Sequence, residues 1–102
     1  MVDETPLPSP LEYEVMCLLI PRGEMYGLQI VKDSEGKLKR GSVYVILGRM
    51  EDKGLVDSRA EASTPEYVGI PRRLYKVTGL GVRAARKFEA MQAVLNGGYV
   101  GV

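Results

Sequence analysis

The sequence predicts a mainly helical α+β domain built from three helices, a two-stranded β hairpin and one added C-terminal helix. The chain has 102 residues, of which 45% are hydrophobic and 26% charged, and this composition is typical of one soluble globular domain. Apolar residues recur at helical spacing in separate segments of the chain. Two short segments of alternating character, separated by residues rich in proline and glycine, indicate the hairpin.

The chain begins with an extended arm over residues 1–9, because proline occupies positions 6, 8 and 10 and disfavours a helix there. Ser9 is the predicted N-cap of the first helix, and Pro10 suits its first position. Glu12 lies three residues after Ser9, as in a capping box. The helix therefore begins at residue 10.

The first helix is apolar on nearly all sides. We expect it to span residues 10–20 and to end at Pro21. Its two charged residues, Glu12 and Glu14, are expected on the solvated surface, and Cys17 is expected to be a buried small hydrophobe. A helix of this kind needs cover on more than one side, which points to a second subunit.

Two further helices follow, over residues 25–33 and from residue 41 or 42 to residue 54. In the second helix, Leu28 and Val31 are expected to face inward. The third helix has a core stripe at helical spacing, formed by Val43, Ile46, Leu47 and Met50. Its outward face is small enough for close approach to another surface and consists of Ser42, Tyr44, Val45, Gly48 and Arg49.

Residues 55–59 and 74–77 are the predicted strands, and the segment between them closes with the basic pair Arg72 and Arg73. Thr78 then caps a final helix. Its apolar stripe is spaced four, three and four residues apart, as in a seam that a neighbouring helix fills, and consists of Ala84, Phe88, Met91 and Leu95. No other element of the chain is expected to cover this stripe.

This order of elements is that of a winged helix-turn-helix with an added C-terminal helix. The predicted organisation has four parts. They are the arm at residues 1–9, the winged helix-turn-helix at 10–77, a dimerisation helix at 78–97 and a tail at 98–102.

Composition argues against an enzyme. The chain has no histidine, which excludes histidine-based acid–base chemistry and a histidine zinc site, and its single cysteine excludes a multi-cysteine metal cluster. Neither nucleotide-binding fingerprint is complete. We therefore expect no catalytic residue, metal or cofactor. The sequence contains neither a signal peptide nor a run of about 18 apolar residues, so we expect a cytoplasmic, nucleoid-associated protein.

Charge is distributed unevenly, although the net charge is only +1. Residues 1–36 carry two basic and seven acidic side chains, whereas residues 37–76 carry nine basic and five acidic ones. This asymmetry within one small domain suggests that the middle of the chain faces a polyanion. An ordinary solvated surface is the alternative explanation.

The chain resembles the PadR-like family of bacterial transcriptional regulators, in its short class with a single C-terminal helix. The resemblance covers roughly residues 10 to 90. The segments that carry it are Tyr26–Ile30, Gly41–Tyr44 with Leu47–Val56, and Gly69–Thr78 with Gly81. The chain departs from the family pattern at Val45, where proline is usual, and at Ile70, where arginine is usual.

The resemblance implies a homodimeric, sequence-specific DNA-binding regulator that represses by occupying a palindromic operator. We expect double-stranded DNA and a second copy of the chain as partners, with a small-molecule effector of unknown identity bound between subunits. Candidate base-reading residues are Ser42, Val45 and Arg49, and candidate phosphate contacts are Lys39, Arg40, Tyr44, Arg72 and Arg73. Candidate dimerisation residues are Leu11, Val15, Leu18, Ala84, Phe88, Met91 and Leu95.

Two alternatives stay open from the sequence. In the first alternative, the domain is a winged-helix module for protein–protein interaction, and its basic hairpin binds an acidic partner protein. For Tyr26 and Gly27 we favour a packing role over a functional one, because glycine permits close approach of a neighbouring element.

Overall fold

A computed structural model of the chain describes residues 3–61 and 72–96 and has the predicted winged helix-turn-helix architecture with an added C-terminal helix. The predicted tip of the wing at residues 62–71 and the predicted tail at residues 98–102 lie outside the described residues. The elements are, in chain order, α1 (Pro10–Arg22), β1 (Met25–Tyr26), α2 (Gly27–Asp33), α3 (Arg40–Asp52), β2 (Val56–Ala60), β3 (Arg73–Val77) and α4 (Gly79–Leu95). No helix in the described part of the chain has the length and apolar character that a membrane span requires.

The described strands form an antiparallel sheet in the order β1-β3-β2, so the predicted two-stranded hairpin, β2 with β3, is confirmed, and the added strand β1 was not predicted. Val56 pairs with Val77 in the hairpin, and Met25 of β1 pairs with Tyr75 on the other side of β3. The start predicted for the second helix at residue 25 was wrong for the same reason, because Met25 and Tyr26 are extended and α2 begins at Gly27.

The start of α1 is the predicted capping box. The Ser9 hydroxyl accepts from the Glu12 backbone N–H at 3.2 Å, and the Glu12 carboxylate accepts from the Ser9 backbone N–H at 2.8 Å. The predicted end at Pro21 was wrong, since the helix continues to Arg22. Proline in the last turn removes only one helical hydrogen bond, and the Gly23 N–H still closes the turn by donating to the Leu19 carbonyl at 2.8 Å.

The core is formed by one face of each helix and the inner face of the sheet. Its fully buried members include Val15, Met16, Leu19, Ile30, Val43, Leu47, Met50, Leu55 and Ala84. Three residues occupy other positions than predicted. Cys17 is exposed because its neighbours Val15 and Met16 take the inward positions, and Leu28 is exposed because Ile30 is the inward residue of α2.

Glu12 is the third correction, because it is buried and not on the solvated surface. Its carboxylate accepts from the Lys53 ammonium group at 2.8 Å in addition to the Ser9 N–H. The side chain is 3% exposed, whereas that of Glu14 is 35% exposed. Glu12 therefore joins the start of α1 to the residue that follows α3.

Helix α4 starts on the turn that follows α3. Thr78 is its N-cap, as predicted: the hydroxyl accepts from the Gly81 N–H at 3.0 Å and donates to the Gly54 carbonyl at 2.6 Å. A Cβ atom at Gly81 would collide with the Leu55 carbonyl oxygen, so the helix approaches this turn as closely as backbone allows.

The apolar stripe of α4 is divided between the core and the surface. Ala84 is fully buried in the core of the same chain, and Phe88 stacks on Tyr13 of α1 with ring centroids 4.6 Å apart. The Tyr13 hydroxyl donates to the Glu89 carboxylate at 2.6 Å, which raises the pKa of Tyr13. The expectation that no element of the chain covers the stripe was therefore wrong for its first half, which α1 covers.

Candidate nucleic-acid interface

The outward face of α3 is the centre of the candidate interface. The predicted core stripe of Val43, Ile46, Leu47 and Met50 is buried, which confirms how the helix is oriented on the core. Tyr44 and Val45 are consequently exposed, at 50% and 54%. Ser42 is half-buried and Arg49 is exposed. Large apolar side chains this exposed near the start of a helix are suited to contact with another surface.

The start of α3 is positively charged. Lys39 is the N-cap and Arg40 the first helical residue, and both are exposed. No side chain caps this end of the helix, and its first turn contains no acidic residue. The partial positive charge of a helix N-terminus adds to these two cations, so this end favours an anionic partner such as phosphate.

The wing arginines stand at the start of β3, and both are exposed. The Arg72 guanidinium lies 4.3 Å from the centroid of the Tyr26 ring and donates to the Glu61 carboxylate at 3.5 Å. The Tyr26 hydroxyl donates to the same carboxylate, and this bond raises the pKa of Tyr26. Arg73 donates to the Ser58 hydroxyl at 3.0 and 3.2 Å. Contacts with neighbouring side chains therefore orient both guanidinium groups.

Tyr44 lies against Gly27, which agrees with the packing role expected for this glycine. A Cβ atom at Gly27 would lie 2.6 Å from Cε1 of the Tyr44 ring, too close for any real contact. Gly27 is thus the residue that lets the Tyr44 ring lie over the start of α2.

A recess of about 430 Å³ opens between α2, α3 and the wing, and we call it the wing recess. It brings Tyr44 together with both wing arginines, so these three predicted phosphate contacts lie close together. The described residues that line it are Tyr26, Gly27, Leu28, Gln29, Tyr44, Arg72, Arg73 and Tyr75. The other predicted DNA-binding residues do not line it and lie along α3: Lys39, Arg40, Ser42, Val45 and Arg49.

Sequence reasoning did not assign a binding role to Tyr26, Leu28, Gln29 or Glu61. The segment Tyr26–Ile30 was singled out, but its side chains approach the wing only because β1 pairs with β3. The Gln29 side chain accepts from the Tyr26 backbone N–H at 2.9 Å and so caps α2, a bond that the spacing of three residues would have indicated.

Basic side chains of residues 37–76 divide into two groups. Those that form ion pairs are Lys37 with Glu14, Lys53 with Glu12, Arg59 with Glu24 and Arg72 with Glu61. Within residues 3–61 and 72–96, no carboxylate forms an ion pair with Lys39, Arg40, Arg49, Arg73 or Lys76. Four of these five unpaired cations are residues that the sequence predicted to contact DNA.

Comparison with known proteins identifies the family. The model of the PadR-like family of transcriptional regulators matches residues 15–87. The chain belongs to this family. No curated protein matches the sequence.

Solved structures agree with the PadR-like assignment. A PadR-like transcription factor from Bacteroides fragilis is 31% identical, with a TM-score of 0.72, over 84% of this chain and 82% of that one. A PadR family regulator from Eggerthella lenta is 30% identical, with a TM-score of 0.72, over 86% and 76% of the two chains. PadR of Bacillus subtilis, solved in complex with operator DNA, shares the fold at 22% identity and a TM-score of 0.65, over 78% and 46%.

Proposed function

We propose that this PadR-like chain is a sequence-specific DNA-binding repressor that occupies a palindromic operator as a homodimer. One observation carries the proposal: α3 has exposed apolar residues and cations that form no ion pair within the described residues, and its exposed Tyr44 lines the wing recess together with two oriented arginines of the wing. Positive charge holds the phosphates of DNA, and apolar or polar side chains on a helix discriminate base edges.

In this proposal, Ser42, Val45 and Arg49 contact base edges in the major groove. Ser42 and Val45 are three residues apart and Val45 and Arg49 are four apart, so the three lie along one face of α3. Val45 has two methyl groups for contact with the thymine methyl, and Arg49 has the donors that guanine accepts.

Phosphate contacts come from both sides of that face. Lys39 and Arg40 lie at the start of α3, whereas Tyr44, Arg72 and Arg73 border the wing recess. Contacts of this kind fix the position of a protein on duplex DNA without specifying sequence.

The homodimer rests on the second half of α4, whose apolar residues remain exposed. Val94 and Leu95 are 64% and 74% exposed, and Met91 and Leu11 are exposed as well. Leu18 and Phe88 are half-buried and stay candidates, whereas Val15 and Ala84 are fully buried in their own chain and offer no surface to a partner. A two-fold axis here would set the two α3 helices about 34 Å apart for successive half-sites.

Selection of bound sites from a random pool of duplex DNA tests the proposal. We expect enrichment of a palindrome, and protection of its two halves from cleavage when the protein binds. Val45→Asn should change the preferred base at one position per half-site, at a cost of roughly 1–3 kcal/mol for the original base. A pool without an enriched sequence would exclude sequence-specific binding.

The wing arginines are tested by the salt dependence of binding. Arg73→Ala should weaken binding to every sequence alike and lower the slope of log K against log salt by about 0.9 for each DNA phosphate that the arginine neutralises. Arg83→Ala is the matched control, because it removes an exposed arginine from α4 and should leave the slope unchanged. An unchanged slope for Arg73→Ala would remove this residue from the interface.

A further inference from the structure

We propose that the wing recess binds an aromatic phosphate, meaning a flat ring system that carries a phosphate group, and that this ligand competes with DNA. The inference rests on the proposed function, because it assigns an effector chemistry to part of the same surface. It differs from the effector site implied by the resemblance, which lies between subunits, because this recess belongs to a single chain.

The recess has the size and lining of a small-molecule site. Its volume of about 430 Å³ lies within the range of roughly 300–1,000 Å³ that is typical of ligand pockets. Among the described residues that line it, three are tyrosines, Tyr26, Tyr44 and Tyr75, and Leu28 adds a branched apolar side chain. Aromatic rings stack on flat ligands, so this lining favours a planar ring over an aliphatic chain.

The charge of the recess favours an anion. Arg72 and Arg73 border it, and no carboxylate in the described part of the chain forms an ion pair with Arg73. The acceptor that Arg73 does have, the Ser58 hydroxyl, is neutral and donates in turn to the Glu51 carboxylate at 2.9 Å, so a hydroxyl separates the guanidinium group from that carboxylate. Arg72 forms an ion pair with Glu61 at 3.5 Å, so Arg73 supplies the charge that matches a phosphate, and the two guanidinium groups together supply donors for its several oxygens.

Gln29 supplies a third recognition group. Its side-chain oxygen accepts from the Tyr26 N–H at 2.9 Å, which fixes the amide at the recess. The NH₂ group of the same amide is a donor that this bond does not use, so it is able to donate to an acceptor on a ring. A nucleoside monophosphate and a simple aryl phosphate share the chemistry that these groups recognise.

Competition with DNA follows from the lining. Tyr44, Arg72 and Arg73 border the recess and are also the proposed phosphate contacts of the interface. A ligand phosphate on the arginines would occupy the position of a DNA phosphate. The ligand and the operator therefore exclude each other without any change in the subunit pairing.

The test is titration of the full chain, without DNA, with two probes: 1-naphthyl phosphate and adenosine monophosphate. The chain contains no tryptophan, so naphthyl fluorescence can be followed without an indole background. We expect saturable binding of at least one probe at one site per chain. Binding of adenosine monophosphate, with or without the other probe, indicates a nucleotide as the source of the chemistry, and binding of 1-naphthyl phosphate alone indicates a different aryl phosphate.

Variants locate the bound probe. Arg73→Gln should weaken binding at least tenfold, and Leu28→Glu should abolish it by placing a negative charge in the recess from an exposed position that the core does not use. Arg83→Gln, on α4, should bind as the wild type does. Failure of both probes, or binding that neither Arg73→Gln nor Leu28→Glu weakens, would overturn the assignment of the recess.

Operator binding in the presence of the probe separates this inference from the proposed function. We expect the apparent Kd for DNA to rise in proportion to probe concentration without reaching a plateau, as competition requires. DNA binding that the probe does not affect would refute the inference and leave the proposed function intact. Probe binding by a chain that selects no operator would refute the proposed function alone.

Discussion

At the scale of single residues, Gly27 shows how a packing requirement bears on a proposed DNA contact, Tyr44. The Tyr44 ring occupies the space that any larger side chain at position 27 would need. Alanine normally stabilises a helix relative to glycine by roughly 0.5–1 kcal/mol. Here the collision with the ring outweighs that gain.

We predict that Gly27→Ala lowers the free energy of unfolding by roughly 1–3 kcal/mol, as overpacking does, and weakens DNA binding by displacing Tyr44. In a Tyr44→Ala background the same substitution should be neutral or stabilising, because the ring is absent. Urea denaturation of the four proteins in this cycle measures the coupling. Equal costs in both backgrounds would show that Tyr44 is not the obstacle.

Glu12 is a second residue whose role depends on distant parts of the chain. Its carboxylate accepts from Ser9, three residues away, and from Lys53, which follows α3. The ordinary expectation for a glutamate in a first turn is exposure, and no local pattern indicates a lysine 41 residues later. Its burial follows from the way α1 packs beside α3.

Glu12→Ala should therefore cost roughly 1–3 kcal/mol of stability, since it leaves the Ser9 N–H and the Lys53 ammonium without their acceptor. Glu14→Ala is the matched control: its partner Lys37 lies 3.4 Å away at the exposed surface, and the cost should stay below about 1 kcal/mol. Thermal or urea denaturation gives both values. A similar loss of stability in the two variants would show that the buried hydrogen bonds of Glu12 do not stabilise the fold more than the exposed ion pair of Glu14 does.

At the scale of elements, the spacing of apolar residues predicted which face is buried wherever the other face of the element is polar. The stripes of α3 and the cap and extent of α4 were predictable for this reason. Helix α1 is apolar all round, so its sequence does not define which side faces the core, and Cys17 was placed wrongly. Strand β1 has two residues and exists only through its pairing with β3, which no local pattern encodes.

The junction between α3 and α4 makes its own prediction. Thr78→Ala removes the cap of α4 and the bond to the Gly54 carbonyl together, so it should cost roughly 1–2 kcal/mol. Thr78→Ser keeps the hydroxyl and should recover most of this stability. Hydrogen exchange of the first turn of α4 should accelerate in the alanine variant alone. If serine fails to rescue, the methyl group and not the hydroxyl is responsible.

At the scale of the whole molecule, the exposed apolar residues in the second half of α4 depart from an ordinary monomer surface. Ala90, Met91, Val94 and Leu95 lie together there, and the preceding turns of the same helix are covered by α1. The sequence predicted an apolar stripe on α4. Which part of that stripe is buried within the chain, and which part stays exposed, depends on how far α1 extends along α4.

Sedimentation of the wild type and two charged variants tests the proposed homodimer. Val94→Asp should produce monomers at tens of micromolar, because it places a charge in the apolar contact, without lowering the stability of the monomer. Ala93→Asp adds the same charge one position away, outside the patch, and should remain dimeric. Phe88→Ala should lower monomer stability as well, since Phe88 stacks on Tyr13. A wild-type monomer at these concentrations would refute the pairing.

The hydrogen bonds of Thr78 with Gly54 and Leu55 have a mechanical consequence for such a pair. They join the start of α4 rigidly to the turn that follows α3. The 17 residues of α4 have a length of about 25 Å. A sideways displacement of about 2 Å at the free end of α4 therefore corresponds to a rotation of about 5° of the helix about that turn. Because the turn is rigid, sliding between the two α4 helices of the proposed homodimer would rotate each α3 helix by the same angle.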